Sequence, residues 1–385
     1  MKKSIVALAF GTFALGIAEF VIMGILGNLA EELSVSITDA GHLISAYATG
    51  VAVGAPTLII LRRMPLKNIL VLLAGMILGG NLLTSLAPNY WCMMAARFLS
   101  GLPHGAYFGV GAIVAQRLAD EGHQARAVSV MVAGMTVATI VGVPVGTFLS
   151  DNVSWRVTFG LVALSAAVTL VFVHLWVPQV GKVESEGFKS QFRFLRNLAP
   201  WLILSGVFFG QTGLYCWYSY IDPLLTKVSG FAVDDLSWLM ALAGLGMFTG
   251  NIVSGRFADR YSAGMVSGAI AAVMIPVMGL VYVFAGYGWV SACLMFLGTA
   301  GLFGIGGPLQ YLIVKYSKGG EMLGAAGIQI AFNVGNAVAA AIGGWTINVT
   351  HSYRTPALAG IPLLVVSAVA LYCLYRRYER GTKEA

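Results

Sequence analysis

The chain has 385 residues, of which 58% are hydrophobic and only 10% charged, with a net charge of +7 and a mean hydropathy of +0.82. A soluble domain carries about 25% charged residues to wet its surface, and a large buried core does not account for the difference, because apolar runs long enough to span a membrane recur along the whole chain. The positive charge is scattered through short loops, which points to membrane topology and away from a nucleic-acid partner.

The first apolar run, residues 4–29, follows Met1-Lys2-Lys3 and carries Glu19. It is too long for the apolar stretch of a secretory signal and reads as an uncleaved first span. The runs 39–60 and 68–87 are separated by Arg62, Arg63 and Lys67. The fourth run, 90–116, is glycine-rich and holds Arg97, His104 and Tyr107, and the fifth, 125–149, holds Gly142, Pro144 and Gly146. A sixth run covers 156–177. The polar segment 178–198 then divides the chain, and Phe188, Phe192, Phe194 and Leu195 give it the pattern of a short surface helix or a plain linker. Runs at 199–222, 235–255, 262–285, 287–313, 322–349 and 355–376 complete twelve. Each can cross about 30 Å of hydrocarbon as a helix, and helix is required because a backbone in lipid has to satisfy its own hydrogen bonds.

An even number of spans puts both termini on one side. Nineteen of the 23 lysines and arginines fall in loops or ends on that side; Arg156, Lys227 and Arg354 face the other, and Arg97 lies within a span. Positive charge is retained in the cytoplasm during insertion, so both termini are expected there. The halves resemble each other at an offset near 200: Thr49-Gly50 matches Thr249-Gly250, and the glycines of the fourth run match Gly301, Gly304, Gly306 and Gly307 of the tenth. Two parallel six-helix halves with a substrate site between them are a recurrent transporter design.

Polar groups inside apolar runs are the candidates for chemistry. A carboxylate in the bilayer costs roughly 2.5–3.5 kcal/mol, so Glu19 has to face a cavity or a partner, either as a proton carrier or as a hydrogen-bonded tie between helices. Arg97 stays charged; it can stabilise ionised Glu19, form a structural pair or reach outward to the headgroups. His104 can relay a proton or pack as a polar residue, and positions 97, 101 and 104 share a helix face. Pro103 loosens the backbone beside them.

In the seventh run Gln211 and Tyr215, with Trp217, read as a cavity wall, whereas Tyr218 and Tyr220 read as interfacial anchors. Gln329, Asn333 and Asn336 in the eleventh run form a second polar wall or hydrogen-bonded glue between helices. Arg256, Asp259 and Arg260 read as inner-gate salt bridges or as a soluble loop. Cys92, Cys216, Cys293 and Cys373 read as small buried apolar residues, without metal-binding or disulfide spacing. Neither a phosphate-binding loop nor a metal or nucleophile motif is present, which leaves ATP-driven pumping and covalent chemistry unsupported.

Several motifs resemble those of the major facilitator superfamily, and within it the twelve-span drug/proton antiporters of the arabinose-efflux type. Arg97-Phe-Leu-Ser-Gly101 is similar to the family's proton-coupling element, and Gly142-Val-Pro144-Val-Gly146 to its antiporter motif. Gly255-Arg256-Phe-Ala-Asp259-Arg260 is similar to the gating loop, and Glu19-Phe20 with Met23-Gly24 to the acidic first helix of efflux members. The first-half gating loop, Leu61-Arg62-Arg63-Met-Pro65-Leu-Lys67, lacks the family's aspartate, and Gly27 stands where many relatives have proline.

The resemblance implies an all-α membrane protein of twelve transmembrane helices in two pseudo-symmetric six-helix bundles, residues 1–177 and 199–385, joined by a cytoplasmic linker, 178–198. It implies a secondary active transporter that exports a drug, sugar or nucleoside against protons from the inner membrane. Such a protein is expected to be a monomer in the lipid bilayer, with no cofactor beyond the proton gradient and no metal. Expected proton-coupling residues are Glu19, Arg97 and His104. Phe20, Met23, Tyr107, Gln211, Tyr215, Trp217, Gln329, Asn333 and Asn336 are expected to line the substrate site. Arg62, Arg63, Arg256, Asp259 and Arg260 are the expected gate, and Gly142, Pro144 and Gly146 the hinge. The alternatives are a facilitator or importer of sugars or nucleosides without coupling and, more remotely, a membrane receptor or intramembrane enzyme.

Overall fold

The computed structural model describes residues 3–54, 61, 64–120, 124–181, 190–317 and 321–380. All regular structure among them is helical. The helices are α1 Lys3–Gly24, α2 Leu26–Glu32, α3 Ile37–Gly54, α4 Leu66–Ser85, α5 Tyr90–Gly101, α6 Pro103–Leu118, α7 Gln124–Val137, α8 Val143–Asn152 and α9 Trp155–Trp176, then α10 Leu198–Tyr218, α11 Ile221–Lys227, α12 Leu236–Arg260, α13 Ala263–Phe284, α14 Gly288–Tyr316, α15 Glu321–Thr350 and α16 Thr355–Leu374. Ten stretches among the described residues are long and apolar enough to cross a membrane. With the 18-residue α3 and the 21-residue α10, they make up the expected twelve.

Several spans are interrupted among the described residues, the seventh at Tyr220 between α10 and α11 and three in the first unit. The expected first span 4–29 ends early, because Ile25 leaves helical geometry (φ −127°, ψ 14°) and α2 restarts beyond it. The fourth span breaks between α5 and α6, where Pro103 occupies the first helical position and has no N–H to give. In the fifth span a π-helical turn, Ala138–Gly142, joins α7 to α8. Its Val143 N–H donates to the carbonyl of Ala138, and Pro144, at the start of α8, follows immediately. Widening the turn accommodates a ring that would otherwise collide with the preceding turn.

The chain divides into two compact units. One comprises Met1–Ser36, Ala46–Glu184 and Leu236–Ala241; the other comprises Ile37–Ser45, Ser185–Asp235 and Leu242–Ala385. In the first, α1 packs on α7, α8 and α9, and α4 packs on α5 and α9. In the second, α10 packs on α15 and α16, and α13 packs on α14 and α16. The pairing is the same in both, helix for helix. The Thr-Gly match is part of it: a Cβ at Gly50 would collide with the carbonyl of Phe98, and a Cβ at Gly250 with the carbonyl of Ala300.

Small residues bring helices close where lipid supplies no hydrophobic drive. Gly134 lies against the carbonyl of Ala9 in α1, and Gly142 and Gly146 lie against Ile17 and Val21. In the second unit Gly335 lies against Thr212 and Gly343 against Tyr220.

The cysteines differ from expectation. Only Cys216 is buried; Cys92, Cys293 and Cys373 lie on the outer surface of the helices, where lipid is the solvent and an apolar sequence context does not imply a core position. In the linker, one 3₁₀ turn, Ser190–Arg196, is the helical element among the described residues. The Trp201 indole donates to the carbonyl of Leu195 at 2.7 Å. At the linker's start, the N–H of Leu66 donates to Val180 and the Arg117 guanidinium to Gly181, both at 3.0 Å.

Candidate functional site

Glu19, Arg97 and His104 come together inside the first unit. They lie on α1, α5 and α6, and are 2%, 0% and 1% exposed. The Nε2 atom of His104 is 3.8 Å from Oε2 of Glu19. The other ring nitrogen, Nδ1, shares a 2.8 Å hydrogen bond with the hydroxyl of Tyr47 on α3. The imidazole stacks on Phe108, with ring centroids 5.3 Å apart and planes 19° from parallel. Arg97 donates from Nη1 to the carbonyl of Ala18 at 2.8 Å. Its guanidinium lies 4.3 Å from the centroid of the Tyr47 ring and 5.5 Å from that of Phe159.

The carboxylate of Glu19 and the guanidinium of Arg97 do not form a direct ion pair; the imidazole is the group that faces the carboxylate. Both oxygens of Glu19, and Nε and Nη2 of Arg97, are buried without a hydrogen-bond partner in the protein. Leaving charged atoms buried and unsatisfied costs several kcal/mol, and aromatic faces recover a part of that for Arg97. The break between α5 and α6 is what places His104 here, since the chain re-enters helix at Pro103, immediately before it.

Tyr47 was not legible as a site residue. It sits in an alternation of small and apolar residues, where an aromatic reads as packing. Nothing in its spacing discloses that its hydroxyl reaches α6.

The other expected residues divide into several groups. Phe20 and Met23 are buried. Tyr107 donates to the carbonyl of Leu8 at 3.4 Å, and its hydroxyl occupies the space beside Gly11; it holds α6 to α1. In the second unit Gln211 donates to the carbonyl of Leu302 at 3.0 Å, and Asn333 to that of Gln329 at 3.0 Å. The side-chain oxygens of Gln211, Asn333 and Asn336 are buried with no partner, so three amide acceptors remain on two helices that pack together. Gln329 is half-buried. Tyr215 meets Phe332 edge to face at 5.6 Å. Trp217 is turned to α14, against Gly298, and fills a notch there.

Arg62 and Arg63 lie outside the described residues, as does the side chain of Asp259. Arg256 and Arg260 are exposed at the end of α12, with the Arg260 guanidinium 5.6 Å from the ring of Tyr261. Gly142, Pro144 and Gly146 fall on the π turn and the first turn of α8.

The family profile described as Major Facilitator Superfamily matches residues 8–329. The chain belongs to the Major Facilitator Superfamily. It is 42% identical to the Escherichia coli K12 protein AraJ over 381 residues, covering 99% of this chain and 96% of that one. It is 32% identical to the inner membrane transport protein YdhP of the same strain over 368 residues, covering 94% of each. Among solved structures, a bacterial homologue of the human lysosomal transporter Spinster, in an inward-facing and unoccupied conformation, superposes with a TM-score of 0.76 at 15% identity, covering 98% of this chain and 97% of that one. As a Major Facilitator Superfamily member, the chain is a multi-pass membrane transporter of a small-molecule substrate and not an enzyme.

Proposed function

We propose that this transporter couples export of a small organic molecule to proton entry by alternating access, with Glu19 as the proton carrier. The supporting observation is the buried cluster of Glu19, His104 and Arg97. A carboxylate held against an imidazole, with a cation bound to the backbone one residue before it on α1, can hold a proton inside the bundle and give it up when alternating access opens the site to the other side. The amide acceptors of Gln211, Asn333 and Asn336 supply hydrogen-bonding capacity suited to a neutral polar or weakly cationic substrate of the sugar, nucleoside or drug class. Bacterial relatives favour the inner membrane, and the distribution of lysine and arginine favours cytoplasmic termini. The export direction follows from the family resemblance.

The test is transport in proteoliposomes under an imposed pH gradient, across a panel of sugars, nucleosides and cationic dyes. The parent is expected to move at least one panel member faster with the gradient than without it, and Glu19→Gln to lose that difference. If Glu19→Gln moves the same compound with the same gradient dependence, the coupling role is wrong. A parent indifferent to the gradient would make the protein a facilitator.

A further inference from the structure

We propose that Tyr47 is a positioning residue of the proton site: its hydroxyl fixes which nitrogen of His104 carries the hydrogen, and thereby aims an N–H at Glu19. The argument is one of satisfiable hydrogen bonds. Tyr47 is buried, and His104 Nδ1, at 2.8 Å, is the partner of its hydroxyl. A phenol can donate once and accept, whereas a neutral imidazole has one donor nitrogen and one acceptor nitrogen. Were Nδ1 the donor, the phenol hydrogen would be buried with nothing to receive it, which folded proteins avoid. With the phenol donating, Nδ1 is the acceptor and the ring hydrogen sits on Nε2.

Nε2 is the nitrogen 3.8 Å from Oε2 of Glu19. An approach of about 1 Å turns that separation into an N–H···O hydrogen bond, and a carboxylate can only accept. The groups around the ring agree with this assignment. From α1 comes Glu19, from α3 Tyr47 and from α6 the stacked Phe108. The guanidinium of Arg97, from α5, lies 4.3 Å from the centroid of the Tyr47 ring and donates to the carbonyl of Ala18. No second acceptor competes for the hydrogen on Nε2, because Nδ1 and Nε2 have one polar partner each among the described residues.

The functional meaning of this arrangement rests on Glu19 as proton carrier; the tautomer itself does not. The experiment uses full-length protein with ¹⁵N-labelled histidine in lipid nanodiscs, where imidazole nitrogen shifts distinguish the two tautomers. The His104 signals are assigned by their loss in His104→Gln. The parent is expected to show one tautomer, with hydrogen on Nε2 and a hydrogen-bonded Nδ1. Tyr47→Phe keeps the ring over Arg97 and deletes only the hydroxyl; it should lose the hydrogen-bonded Nδ1 signal and admit a measurable share of the Nδ1–H tautomer, with Glu19 left as the group that favours hydrogen on Nε2. Phe108→Leu removes the stacked ring but not the hydroxyl, and should keep the parent tautomer.

A parent with hydrogen on Nδ1 overturns the proposal, as does a Tyr47→Phe spectrum identical to the parent's. So does a Phe108→Leu variant that mixes tautomers as much as Tyr47→Phe. The parent spectrum suffices if the variants do not fold. Should Tyr47→Phe shift the tautomer while Glu19→Gln leaves gradient-driven transport unchanged, the coupling reading fails and the positioning of His104 stands.

Discussion

The guanidinium of Arg97 donates to the carbonyl oxygen of Ala18 at 2.8 Å, so the buried cation is fixed to the backbone of α1 one residue before Glu19 rather than to the carboxylate. The same guanidinium lies 4.3 Å from the centroid of the Tyr47 ring and 5.5 Å from that of Phe159. Its position is therefore set by one backbone hydrogen bond and two aromatic rings.

Lysine cannot reproduce that arrangement, because an ammonium is a compact point charge without a plane to stack. Arg97→Lys is expected to reduce gradient-driven transport by roughly tenfold, the equivalent of one charge-assisted hydrogen bond or cation–π contact. Arg97→Gln should reduce it further. Proteoliposome transport, normalised to the amount of folded protein, measures both.

The repeat-related crossings at Gly50 and Gly250 admit no side chain, since what a Cβ would strike is backbone carbonyl in both cases. Gly50→Ala and Gly250→Ala are each expected to destabilise by about 1–3 kcal/mol through overpacking. Gly75→Ala is the control: a Cβ there has nothing within 4 Å, and replacing a mid-helix glycine should stabilise by about 0.5–1 kcal/mol. Thermal unfolding in detergent separates the three.

Glu379, on the π-helical turn Tyr375–Glu379 that follows α16, accepts a hydrogen bond from the N–H of Gly264 at 2.9 Å. A carboxylate at the N-terminus of α13 satisfies an otherwise unpaired backbone donor and complements the helix dipole. Glu379→Ala is expected to cost about 1–3 kcal/mol and to speed amide exchange over residues 375–380 and at the start of α13, as read by hydrogen–deuterium exchange.

The expected topology makes a labelling prediction. In a background with Cys92, Cys216, Cys293 and Cys373 replaced, Asp234→Cys, exposed between α11 and α12, should react with a membrane-impermeant maleimide added to intact cells. Arg380→Cys, exposed immediately after the π-helical turn Tyr375–Glu379, should react only after the cells are opened. The opposite pattern would invert the assignment of both termini.

The spans were legible because a bilayer imposes length and apolarity together, and lysine and arginine placement marked their ends. The repeat was legible at Thr49-Gly50 and Thr249-Gly250, and the packing at both glycines bears that match out. Interruptions were harder to place. Nothing apolar distinguishes Ile25 from its neighbours, and only Pro144 hinted at the irregular turn before it. Within the site, the sequence singled out Glu19, Arg97 and His104 as polar groups inside apolar runs but could not say which pairs touch. Contacts between side chains on different helices depend on rotation about each axis, and a difference of one residue turns a side chain by about 100°. For the same reason Trp217 reads as a companion of Gln211 in the sequence, yet faces Gly298 in the fold.

The turn at Ala138–Gly142 has a consequence for how this chain tolerates insertions and deletions. A π turn holds one residue more than the regular helix it interrupts, so removing a single residue there would let α7 and α8 run on as one unbroken rod. The residues from Val143 to Asn152 would keep their faces, with Gly146 still against Val21, but the Pro144 ring would meet the preceding turn without the width that now accommodates it. A deletion in the regular part of α7, by contrast, would turn everything beyond it by about 100°.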